Sequence, residues 1–444
     1  MNISTINSFF KKLGEAQIKR RWFILLAFFI ATIICCAGLS KFRLVNGSEG
    51  WYGDGDKLQQ DKNLYEKTFG NSHSASILLV ADDVFTEEIL TVVDKLGQRM
   101  LKEIPFADKI TSLTEVEIPV GNAEGFEVVK PYEKGIPSDP AELKAKRDFV
   151  LRGTEKTSAY INTLVSDDGK ETWINLSLLP YENPDDDSLA IGYALTNILN
   201  SEEFKSDSYK LYGCGQPYSD VQEEIYEYPD YVLRVLLGFV IMVLFLTITV
   251  RSVYGVIIPS LATVGAIASV LGGMSWFGVK ADSALITLPI LLGMALSIGY
   301  SIHYINMFKL YFRRTGNRIL SAVKTVEESG WSVFFTVLTT VASLISFIFV
   351  DMKPISWMGK ASSLIVLAVF IYVSVLVPIC MSFGKDKVPT AEDTEEKGAT
   401  KVDMCFAHWA DIVKNKRWLI IGLSAAIIGI CIPFFFKINV NVDM

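Results

Sequence analysis

The chain has 444 residues, half of them apolar, and a formal charge of −7 at pH 7. Charged residues make up 20%, below the roughly 25% of soluble domains, and the apolar content excludes a disordered, collagen-like or small disulfide-stabilised chain. The charge is divided unevenly, because residues 40–230 hold 19 Lys and Arg against 36 Asp and Glu, a net −17, and the remainder holds +10. Neither balance favours a nucleic acid as a partner.

Seven apolar segments are long enough to cross a membrane as helices, because a hydrocarbon core of ~30 Å takes about 20 residues at ~1.5 Å each. In chain order they are Trp22–Leu39, Tyr231–Val250, Gly255–Phe277, Ala284–Phe308, Trp331–Val350, Met358–Ser382 and Trp418–Phe436. Backbone polar groups inside lipid must be satisfied within the segment, so each run is predicted to be a helix. The expected fold class is an α-helical polytopic membrane protein.

Basic residues indicate the orientation of these spans. They gather before span one, after spans two and four, and before span seven, at Lys11, Lys12, Lys19, Arg20, Arg21, Arg251, Lys309, Arg313, Arg314, Arg318, Lys324, Lys414, Lys416 and Arg417. If the spans alternate, these positions share one side, which the positive-inside rule assigns to the cytoplasm. We therefore predict a multi-pass protein of the cell (inner or plasma) membrane, with a cytoplasmic N-terminus, an uncleaved first span and residues 40–230 extracytoplasmic.

The segment 40–230 alternates predicted strands and helices. Strands are predicted at Ser76–Val80, Lys109–Val116, Ala159–Val165, Thr172–Leu179 and Tyr209–Tyr212, and helices at Thr86–Glu103, Pro140–Leu151 and Ser188–Ser201. Asp168-Gly169 is typical of a hairpin turn, and Asp139 before Pro140 is typical of a helix start. The order of elements is similar to split βαβ units, which predicts an α+β, ferredoxin-like domain.

An acidic run, Asp185-Asp186-Asp187, precedes the last of these helices. Carboxylates suit a helix N-terminus, so we interpret Asp187 or Ser188 as a cap rather than as part of a cation site. The six cysteines predict no disulfide outside the membrane, since only Cys214 falls there, and none has zinc-ligand spacing. We therefore expect no metal and no cofactor.

Residues 10–41 match residues 406–437 without a gap, at an offset of 396. Trp22 meets Trp418, and in both copies an amphipathic stretch leads into a basic pair, a tryptophan, an apolar run and a lysine. The pattern predicts an internal repeat, and 444 residues exceed the offset by 48. The chain is therefore expected to be a truncated product or a piece of a gene about twice as long.

Three short motifs occur in chain order in and around spans two to six. Gly213-Cys214-Gly215-Gln216-Pro217 precedes span two, Arg251-Ser252 follows it, and Ile302-His303-Tyr304-Ile305-Asn306 lies in span four. In this order the chain resembles the resistance-nodulation-division (RND) superfamily, and within it the lipid and hydrophobe exporters: the mycobacterial large membrane proteins (MMPL), the hopanoid exporters and the Patched/Dispatched group. Residues 231–384 also resemble the sterol-sensing domain.

The resemblance implies a half-transporter with one anchor span, a porter domain and five more spans, facing a second half across a pseudo-twofold axis. It implies that a lipid or hydrophobic substrate passes through the porter domains, driven by an ion moving through spans four and ten. The implied partners are the substrate, the membrane, and a second half or a second copy of the chain, which would make a homo-oligomer.

The resemblance also implies domain boundaries. They are 1–21 (cytoplasmic amphipathic lead-in), 22–39 (span one), 40–230 (porter-like domain), 231–384 (spans two to six), 385–417 (cytoplasmic linker), 418–437 (span seven, the start of the second repeat) and 438–444 (the start of a second porter domain). Within this frame, Gly213, Gly215 and Pro217 are predicted to form the porter-to-membrane motif.

Span four departs from the proton-driven pattern of the superfamily. Those members carry an aspartate at the position matching Gly299, or Tyr300 in the other register, and Ala284–Phe308 contains no Asp or Glu. A buried carboxylate is the usual proton carrier, so this departure argues against proton coupling through this half. Hydroxyl and carbonyl oxygens could hold Na⁺ instead, and small residues also serve close helix packing. The candidate ion path is Ser297, Gly299, Tyr300, Ser301, His303 and Asn306.

Other polar residues of the spans have two interpretations. His303 titrates near neutrality when unperturbed, which suits a relay, whereas a solvated histidine near the cytoplasmic end is the alternative. The span-five polar face is either part of a cation path or a helix-packing surface, and it comprises Thr336, Thr339 and Thr340. The basic segment Lys309–Lys324 is predicted to be a helix lying on the cytoplasmic leaflet.

No enzyme is predicted. The sequence has no phosphate-binding Gly-Lys-Ser/Thr loop, no paired carboxylates within the spans and no metal-ligand cluster. The leading hypothesis is a secondary-active transporter that exports a lipid or hydrophobic compound. The alternatives are a membrane lipid- or sterol-binding or sensing module without transport, and an accessory to protein export.

Overall fold

A computed structural model describes residues 3–45, 51–53, 55–69, 73–122, 125–151, 160–181, 183–388 and 401–435. The helices are α1 (Ile3–Lys19), α2 (Arg21–Ala37), α3 (Lys57–Phe69), α4 (Glu87–Glu103), α5 (Pro140–Leu151), α6 (Pro184–Leu199), α7 (Gln216–Gln222), α8 (Tyr228–Val250), α9 (Val253–Trp276), α10 (Thr287–Thr315), α11 (Arg318–Ile345), α12 (Lys353–Met381), α13 (Lys401–Asn415) and α14 (Arg417–Phe435). The strands are β1 (Leu44–Val45), β2 (Ser74–Ala81), β3 (Ala107–Thr111), β4 (Ile118–Asn122), β5 (Gly125–Val129), β6 (Glu171–Leu178), β7 (Tyr209–Cys214) and β8 (Ala281–Asp282). The predicted second porter domain, 438–444, lies outside the described residues.

Among the described residues, seven helices are long and apolar enough to span a membrane. They cover Arg21–Lys41, Gln216–Val250, Val253–Trp276, Thr287–Thr315, Arg318–Phe349, Lys353–Met381 and Arg417–Phe434. The predicted polytopic helical fold is therefore confirmed. We call α2 and α8–α12 the membrane body, and the sheet-bearing region from α3 to β7 the α+β domain.

The prediction of a separate interfacial helix at Lys309–Lys324 is wrong. α10 continues to Thr315 and ends at Gly316, whose φ of +67° is the left-handed conformation that glycine adopts at helix ends. Asn317 then caps α11, because its side-chain oxygen accepts from the backbone N–H of Leu320 at 2.8 Å. The basic residues therefore belong to the ends of two spanning helices joined by a tight turn.

The membrane body packs around α12, which contacts α9, α10 and α11. Span one lies against α9, and small residues permit the close approach: a Cβ added at Gly272 would lie 2.1 Å from the carbonyl oxygen of Cys35. The indole N–H of Trp276 donates to the carbonyl of Ile34 at 2.9 Å, which fixes the same contact at the last residue of α9.

The α+β domain contains a four-stranded sheet in the order β3-β6-β2-β7, and each neighbouring pair is antiparallel. α4 follows β2 and α6 follows β6, so the order is that of a split βαβ, ferredoxin-like domain, as predicted. Alternate residues of the central strands are buried, including Ile77 and Leu79 on β2 and Ile174 and Leu176 on β6.

Two strand predictions need correction. The strand predicted at Lys109–Val116 ends at Thr111, and a turn follows. The strand predicted at Ala159–Val165 does not form over its described part, because Tyr160–Val165 folds as turns and only Val165 pairs with β6, at Thr172. Ala159 lies outside the described residues. The predicted turn at Asp168-Gly169 is confirmed, with Gly169 at φ +75°.

The predicted cap of the acidic run is also wrong. α6 begins four residues earlier than predicted, with Asn183 at its N-cap and Pro184 in its first turn. Asp187 therefore lies inside the helix, where its carboxylate accepts from the backbone N–H of Asn183 at 3.1 Å. Ser188 donates to Asp220 of α7 at 2.6 Å, which ties α6 to the helix that leads into the membrane.

The segments that flank the α+β domain contact the loops that follow spans three and five. β1 runs parallel to β8, pairing Leu44 with Ala281. The backbone N–H of Lys353 donates to the carbonyl of Trp51 at 2.8 Å. The hydroxyl of Ser283 donates to Glu223 at 2.7 Å.

The two ends of the chain repeat one arrangement. α1 and α2 are separated by a break at Arg20, and α13 and α14 by a break at Lys416, 396 residues later. α1 packs along α11 and α2 along α9, whereas the described side chains of α13 and α14 are almost all exposed. The same pair of helices therefore occurs twice. The first pair packs on α9 and α11, and the second pair has almost no described side chain buried against the rest of the protein.

Candidate functional site

Span four presents two different faces, because residues three or four positions apart share one side of a helix. Ser297, Tyr300 and Ser301 face inward and are fully or almost fully buried. Gly299, His303 and Asn306 are exposed on another face. The six residues predicted as one ion path are therefore divided between two surfaces of α10.

The inward face begins with a buried hydroxyl pair. Ser297 of α10 is hydrogen-bonded to Thr263 of α9. The hydroxyl of Thr263 donates to the carbonyl of Pro259 at 2.7 Å, so Ser297 is the donor to Thr263. This chain of two hydrogen bonds joins spans three and four, and all of its polar atoms have partners. The sequence analysis did not identify Thr263, which is a single polar residue in an apolar run.

One turn further along α10, the buried polar atoms have no partner among the described residues. The hydroxyls of Tyr300 and Ser301 form no hydrogen bond, and on α12 the same is true of Ser363 and of the indole N–H of Trp357. Unsatisfied buried polar groups are rare in proteins and cost most inside a membrane, where no bulk water reaches them. The three hydroxyls are therefore suited to bind water or a cation, and the indole N–H, which can only donate, is suited to bind water.

The unpartnered groups lie on two helices that run side by side. A Cβ added at Gly293 would lie 2.5 Å from Ile365, and the ring of Tyr300 is 6.5 Å from that of Phe370. α10 and α12 therefore advance in the same direction through the membrane body. Trp357 lies near the start of α12, while Tyr300 and Ser301 lie near the middle of α10, so the groups are spread along about half a span.

Gly299 and Tyr300, the two positions that the resemblance matches to the aspartate of proton-driven members, lie on different faces of α10. A Cβ added at Gly299 would meet no described atom within 4 Å, whereas Tyr300 is only 3% exposed and packs against α12. A carboxylate at Tyr300 would thus point into the membrane body, and one at Gly299 would point out of it. His303 and Asn306 share the outward face and do not approach the inward hydroxyls.

The threonines of span five do not face span four. Thr336 and Thr339 are exposed and Thr340 is half-buried. Each hydroxyl donates to a carbonyl of its own helix, at 3.0 Å to Ser332 for Thr336 and at 2.8 Å to Thr336 for Thr340. Each of these hydroxyls is satisfied by its own helix, so none of them requires an ion or a partner helix. The predicted span-five part of the ion path is therefore not brought to the inward site.

A second polar cluster, which the sequence analysis missed, is fully paired. The hydroxyl of Tyr372 on α12 lies 2.7 Å from that of Thr32 in span one and 2.8 Å from that of Ser269 on α9. It joins three spans and shows what a satisfied polar contact looks like in this membrane body. Nothing in the sequence marks it, because each member stands alone in an apolar run.

The motif before span two forms a tight strand-to-helix turn. Gly215 has φ +107°, and a Cβ there would lie 2.0 Å from the carbonyl oxygen of Ser74 at the start of β2. A Cβ at Gly213 would lie 2.6 Å from the ring of Tyr218. Pro217 is buried in the first turn of α7. All three residues hold α7 against the sheet.

The helix from this motif into span two is continuous but contains one irregular turn. α7 passes through a π-helical turn at Glu223–Glu227 into α8, and π-turns occur frequently at functional sites. Nearby, Asp282 is buried in the loop between spans three and four, and this burial raises the pKa of its carboxyl. Its side chain accepts from the backbone N–H of Leu285 at 3.0 Å.

The α+β domain contains an open cleft of about 680 Å³ between the start of α4 and α5. Phe85, Leu143 and Leu151 give it apolar walls, and Arg147, which pairs with Asp83 at 3.3 Å, stands at its edge. The sequence analysis did not predict this cleft. In the part of the chain that the structure describes, the cleft included, no group of three or more His, Cys, Asp or Glu is arranged to hold a metal ion.

Comparison with protein families identifies a match that covers most of the chain. The model of the MMPL family matches residues 88–419, about three quarters of the chain. A comparison with curated proteins found no significant match. The chain therefore belongs to the MMPL family, whose members are RND-type membrane transporters. This confirms the predicted superfamily, while the likeness of residues 231–384 to the sterol-sensing domain stays a prediction.

Proposed function

We propose that the chain is one half of a secondary-active transporter that exports a lipid or another hydrophobic compound, with an ion moving along the inward face of span four. The observation that carries this proposal is the set of buried, unpartnered polar groups on α10 and α12: Tyr300, Ser301, Trp357 and Ser363. Polar groups held without partners inside a membrane mark substrate and ion pathways.

The chemistry of these groups supports a cation bound by neutral oxygens. The described inward face of α10 offers hydroxyls and no carboxylate. A proton needs a titrating carrier, whereas Na⁺ is coordinated by hydroxyl and carbonyl oxygens. Coupling to Na⁺ is therefore our first expectation, and coupling to protons through a carrier in another half is the alternative.

The cleft of the α+β domain is the proposed route of the substrate. Its apolar wall suits a hydrophobic compound, and the domain is connected to span two by the unbroken helix α7–α8. The contact between Ser283 and Glu223 ties that helix to the loop before span four. A shift in α10 on ion binding would therefore be transmitted to the base of the domain.

The outward face of α10 supports a second half or a second copy of the chain as partner. His303 and Asn306 are exposed there, about 24 Å and 28 Å along the helix from Thr287 at ~1.5 Å per residue. Polar side chains at such positions in membrane proteins almost always face protein or a water-filled cavity rather than lipid. Transport, rather than catalysis, also agrees with the family of the chain.

The test is transport by the purified chain in proteoliposomes, with Nile red and a fluorescent phosphatidylethanolamine as hydrophobic probes. We expect probe movement that requires an imposed Na⁺ gradient and stops when a Na⁺ ionophore collapses it. Dependence on a proton gradient alone would replace Na⁺ by a proton. Probe binding that is indifferent to every gradient would favour a lipid- or sterol-binding module, and neither binding nor movement of the probes would favour an accessory to protein export.

Single substitutions locate the coupling. Tyr300→Phe is expected to reduce gradient-driven movement at least tenfold, because it removes an unpartnered inward hydroxyl. Ser297→Ala is expected to reduce it by breaking the contact between Ser297 and Thr263 of span three. His303→Ala is expected to act only through the contact with a second half. Thr247→Val is the matched control, since Thr247 is exposed on α8 and donates to its own helix at 2.7 Å. If Tyr300→Phe, Ser297→Ala and His303→Ala all move probe at the control rate, ion coupling through this half is wrong.

A further inference from the structure

The amphipathic helix α1 has three distinct faces rather than two. At about 100° per residue, Phe10, Gly14, Gln17 and Ile18 share a buried face. Phe9, Leu13 and Ala16 share an exposed apolar face. Lys11, Lys12, Glu15 and Lys19 share an exposed charged face. A helix that met only protein and water would have one buried face and one polar face. The exposed apolar face of α1 therefore indicates a third, apolar environment.

The buried face packs along α11. A Cβ added at Gly330 would lie 2.5 Å from the ring of Phe10, and one added at Gly14 would lie 3.1 Å from Val326. Phe10 thus meets a later residue of α11 than Gly14 does, so the two helices run antiparallel. This contact holds α1 at a fixed rotation about its own axis and defines where its other faces point.

The two ends of α1 meet different parts of the membrane body. Phe10 is beside Gly330, the residue before the apolar part of span five at Trp331. The other end turns at Arg20 directly into span one, where Arg21 donates to the hydroxyl of Ser382 at the end of span six. Lys19 and Arg20 therefore lie where span one begins, at the level where basic side chains meet lipid headgroups.

The exposed apolar face continues the lipid-facing surface of span one. Phe9 is 63% exposed and Leu13 39% exposed, and Trp22 and Phe23 at the start of span one are both 71% exposed. Large apolar side chains that are exposed next to a spanning helix are placed to enter lipid. This continuity identifies the bilayer as the third environment of α1.

Three cations border this apolar face. Lys12 and Lys19 lie seven residues, or about two helical turns, apart along the edge of the apolar face. Arg20 follows at the end of α1. Among the residues that the structure describes, none of the three side chains forms an ion pair or hydrogen bond. Lys11 lies on the far side of the charged face, more than a quarter turn away from the apolar face. The unpaired cations nearest to the lipid are therefore Lys12, Lys19 and Arg20.

We infer that α1 is a binding site for anionic phospholipid in the leaflet on the side of the N-terminus. Lys12, Lys19 and Arg20 would bind the headgroup phosphate, while Phe9 and Leu13 enter the acyl region. A basic residue next to an anionic membrane surface strengthens binding about fivefold. Because α1 is packed on span five, a bound lipid would also hold α1 against the membrane body.

The second copy of the repeat is an internal control for this site. In α13, Trp409 takes the place of Leu13 and is 62% exposed, so the apolar face is kept. His408 and Asn415 take the places of Lys12 and Lys19, while Lys416 takes the place of Arg20, so two of the three bordering cations are lost. We therefore expect α13 to enter lipid and to select anionic headgroups much more weakly than α1 does.

The test is native mass spectrometry of the full chain titrated with dioleoyl-phosphatidylglycerol and dioleoyl-phosphatidylcholine. The preference for phosphatidylglycerol should fall about fivefold in Lys12→Gln and about 100-fold in a Lys12→Gln/Lys19→Gln/Arg20→Gln variant. Lys11→Gln is the control and should change it less than twofold. His408→Lys/Asn415→Lys should add a second selective site, which keeps the inference testable if the triple variant does not fold.

Three results would overturn the inference. One is an unchanged preference in the triple variant. Another is an equal loss in Lys11→Gln and Lys12→Gln, which would indicate a diffuse effect of net charge. The last is competition by millimolar inorganic phosphate, which would indicate a site for free phosphate rather than for a lipid.

Discussion

Among the described residues, the hydroxyl of Tyr132 is the one buried side-chain polar atom of the α+β domain that has no partner, whereas the membrane body has several. In the domain, Ser112 and Thr114 bond each other at 3.0 Å, and Thr172 donates to the carbonyl of Leu164 at 3.1 Å. In the membrane body, Tyr300 and Ser301 of α10 are as deeply buried and have no partner among the described residues. The difference is opposite to what stability requires, because unpaired groups cost more in lipid than near water.

The comparison separates buried polar groups that stabilise packing from buried polar groups that are free to bind a ligand. Removing an unpaired buried group is neutral or stabilising, whereas removing one member of a pair leaves the other unsatisfied. Unpaired hydroxyls are therefore expected to persist only where they bind something. The following predictions test the comparison from the largest expected effect to the smallest.

Gly215→Ala is expected to have the largest effect, because the added Cβ would lie 2.0 Å from the carbonyl oxygen of Ser74. Backbone strain alone costs about 1–3 kcal/mol, and the clash adds to it. The measurement is thermal unfolding of the purified chain in detergent. Gly135→Ala is the control, since Gly135 also has positive φ but an added Cβ meets no described atom within 4 Å. Equal losses would show that the contact with β2 is unimportant.

Ile77→Ala is expected to lower the unfolding free energy of the α+β domain by about 2–5 kcal/mol. Ile77 is fully buried in the central strand β2, so the change removes packed apolar atoms and leaves a cavity. Hydrogen exchange of the sheet measures the loss. Val128→Ala, at a residue 56% exposed on β5, should cost much less. A similar loss of unfolding free energy at both positions would contradict the burial of Ile77 in the core of the domain.

Ser297→Ala and Ser301→Ala compare a paired with an unpaired hydroxyl one turn apart on the same helix. Ser297→Ala should destabilise the chain by about 1 kcal/mol, because Thr263 loses its donor. Ser301→Ala should leave stability unchanged or raise it. Thermal unfolding of both variants in the same detergent decides the comparison. Destabilisation by Ser301→Ala would mean that its hydroxyl has a structural partner.

Asp282→Asn is expected to have the smallest effect, confined to pH dependence. Burial raises the pKa of Asp282, so ionisation opposes folding, and stability is lost as pH rises from the unfolded value of about 3.9 through the raised folded value. Asparagine keeps an acceptor for the N–H of Leu285 and does not ionise. The melting temperature of the variant should therefore fall less than that of the wild type across this window. Parallel curves would contradict the assignment.

The membrane spans could be predicted from the sequence because the length of an apolar run is a local property. The interfacial helix at Lys309–Lys324 was wrong because Gly316-Asn317 ends one helix and starts the next, and this short signal was outweighed by the run of basic residues. In the α+β domain the central strands followed from alternation. The hairpin β4–β5 was missed because Pro119 and Gly121 interrupt its strand pattern.

The candidate site was only partly predictable. The sequence placed Ser297, Tyr300 and Ser301 in one group with Gly299 and His303, because all occupy adjacent positions of span four. Which residues face inward depends on the neighbouring helices, and no local pattern contains that information. Ser363 and Trp357 on α12 were missed for the same reason, since each is a single polar group in an apolar helix.

Transport by a Tyr300→Phe/Ser301→Ala variant in proteoliposomes tests the central claim most directly. Both hydroxyls are buried without a partner among the described residues, so their removal should leave the melting temperature unchanged or slightly higher. Gradient-driven movement of Nile red should fall at least tenfold relative to the Thr247→Val control. Movement at the control rate with an unchanged melting temperature would contradict the proposal that these hydroxyls carry the ion.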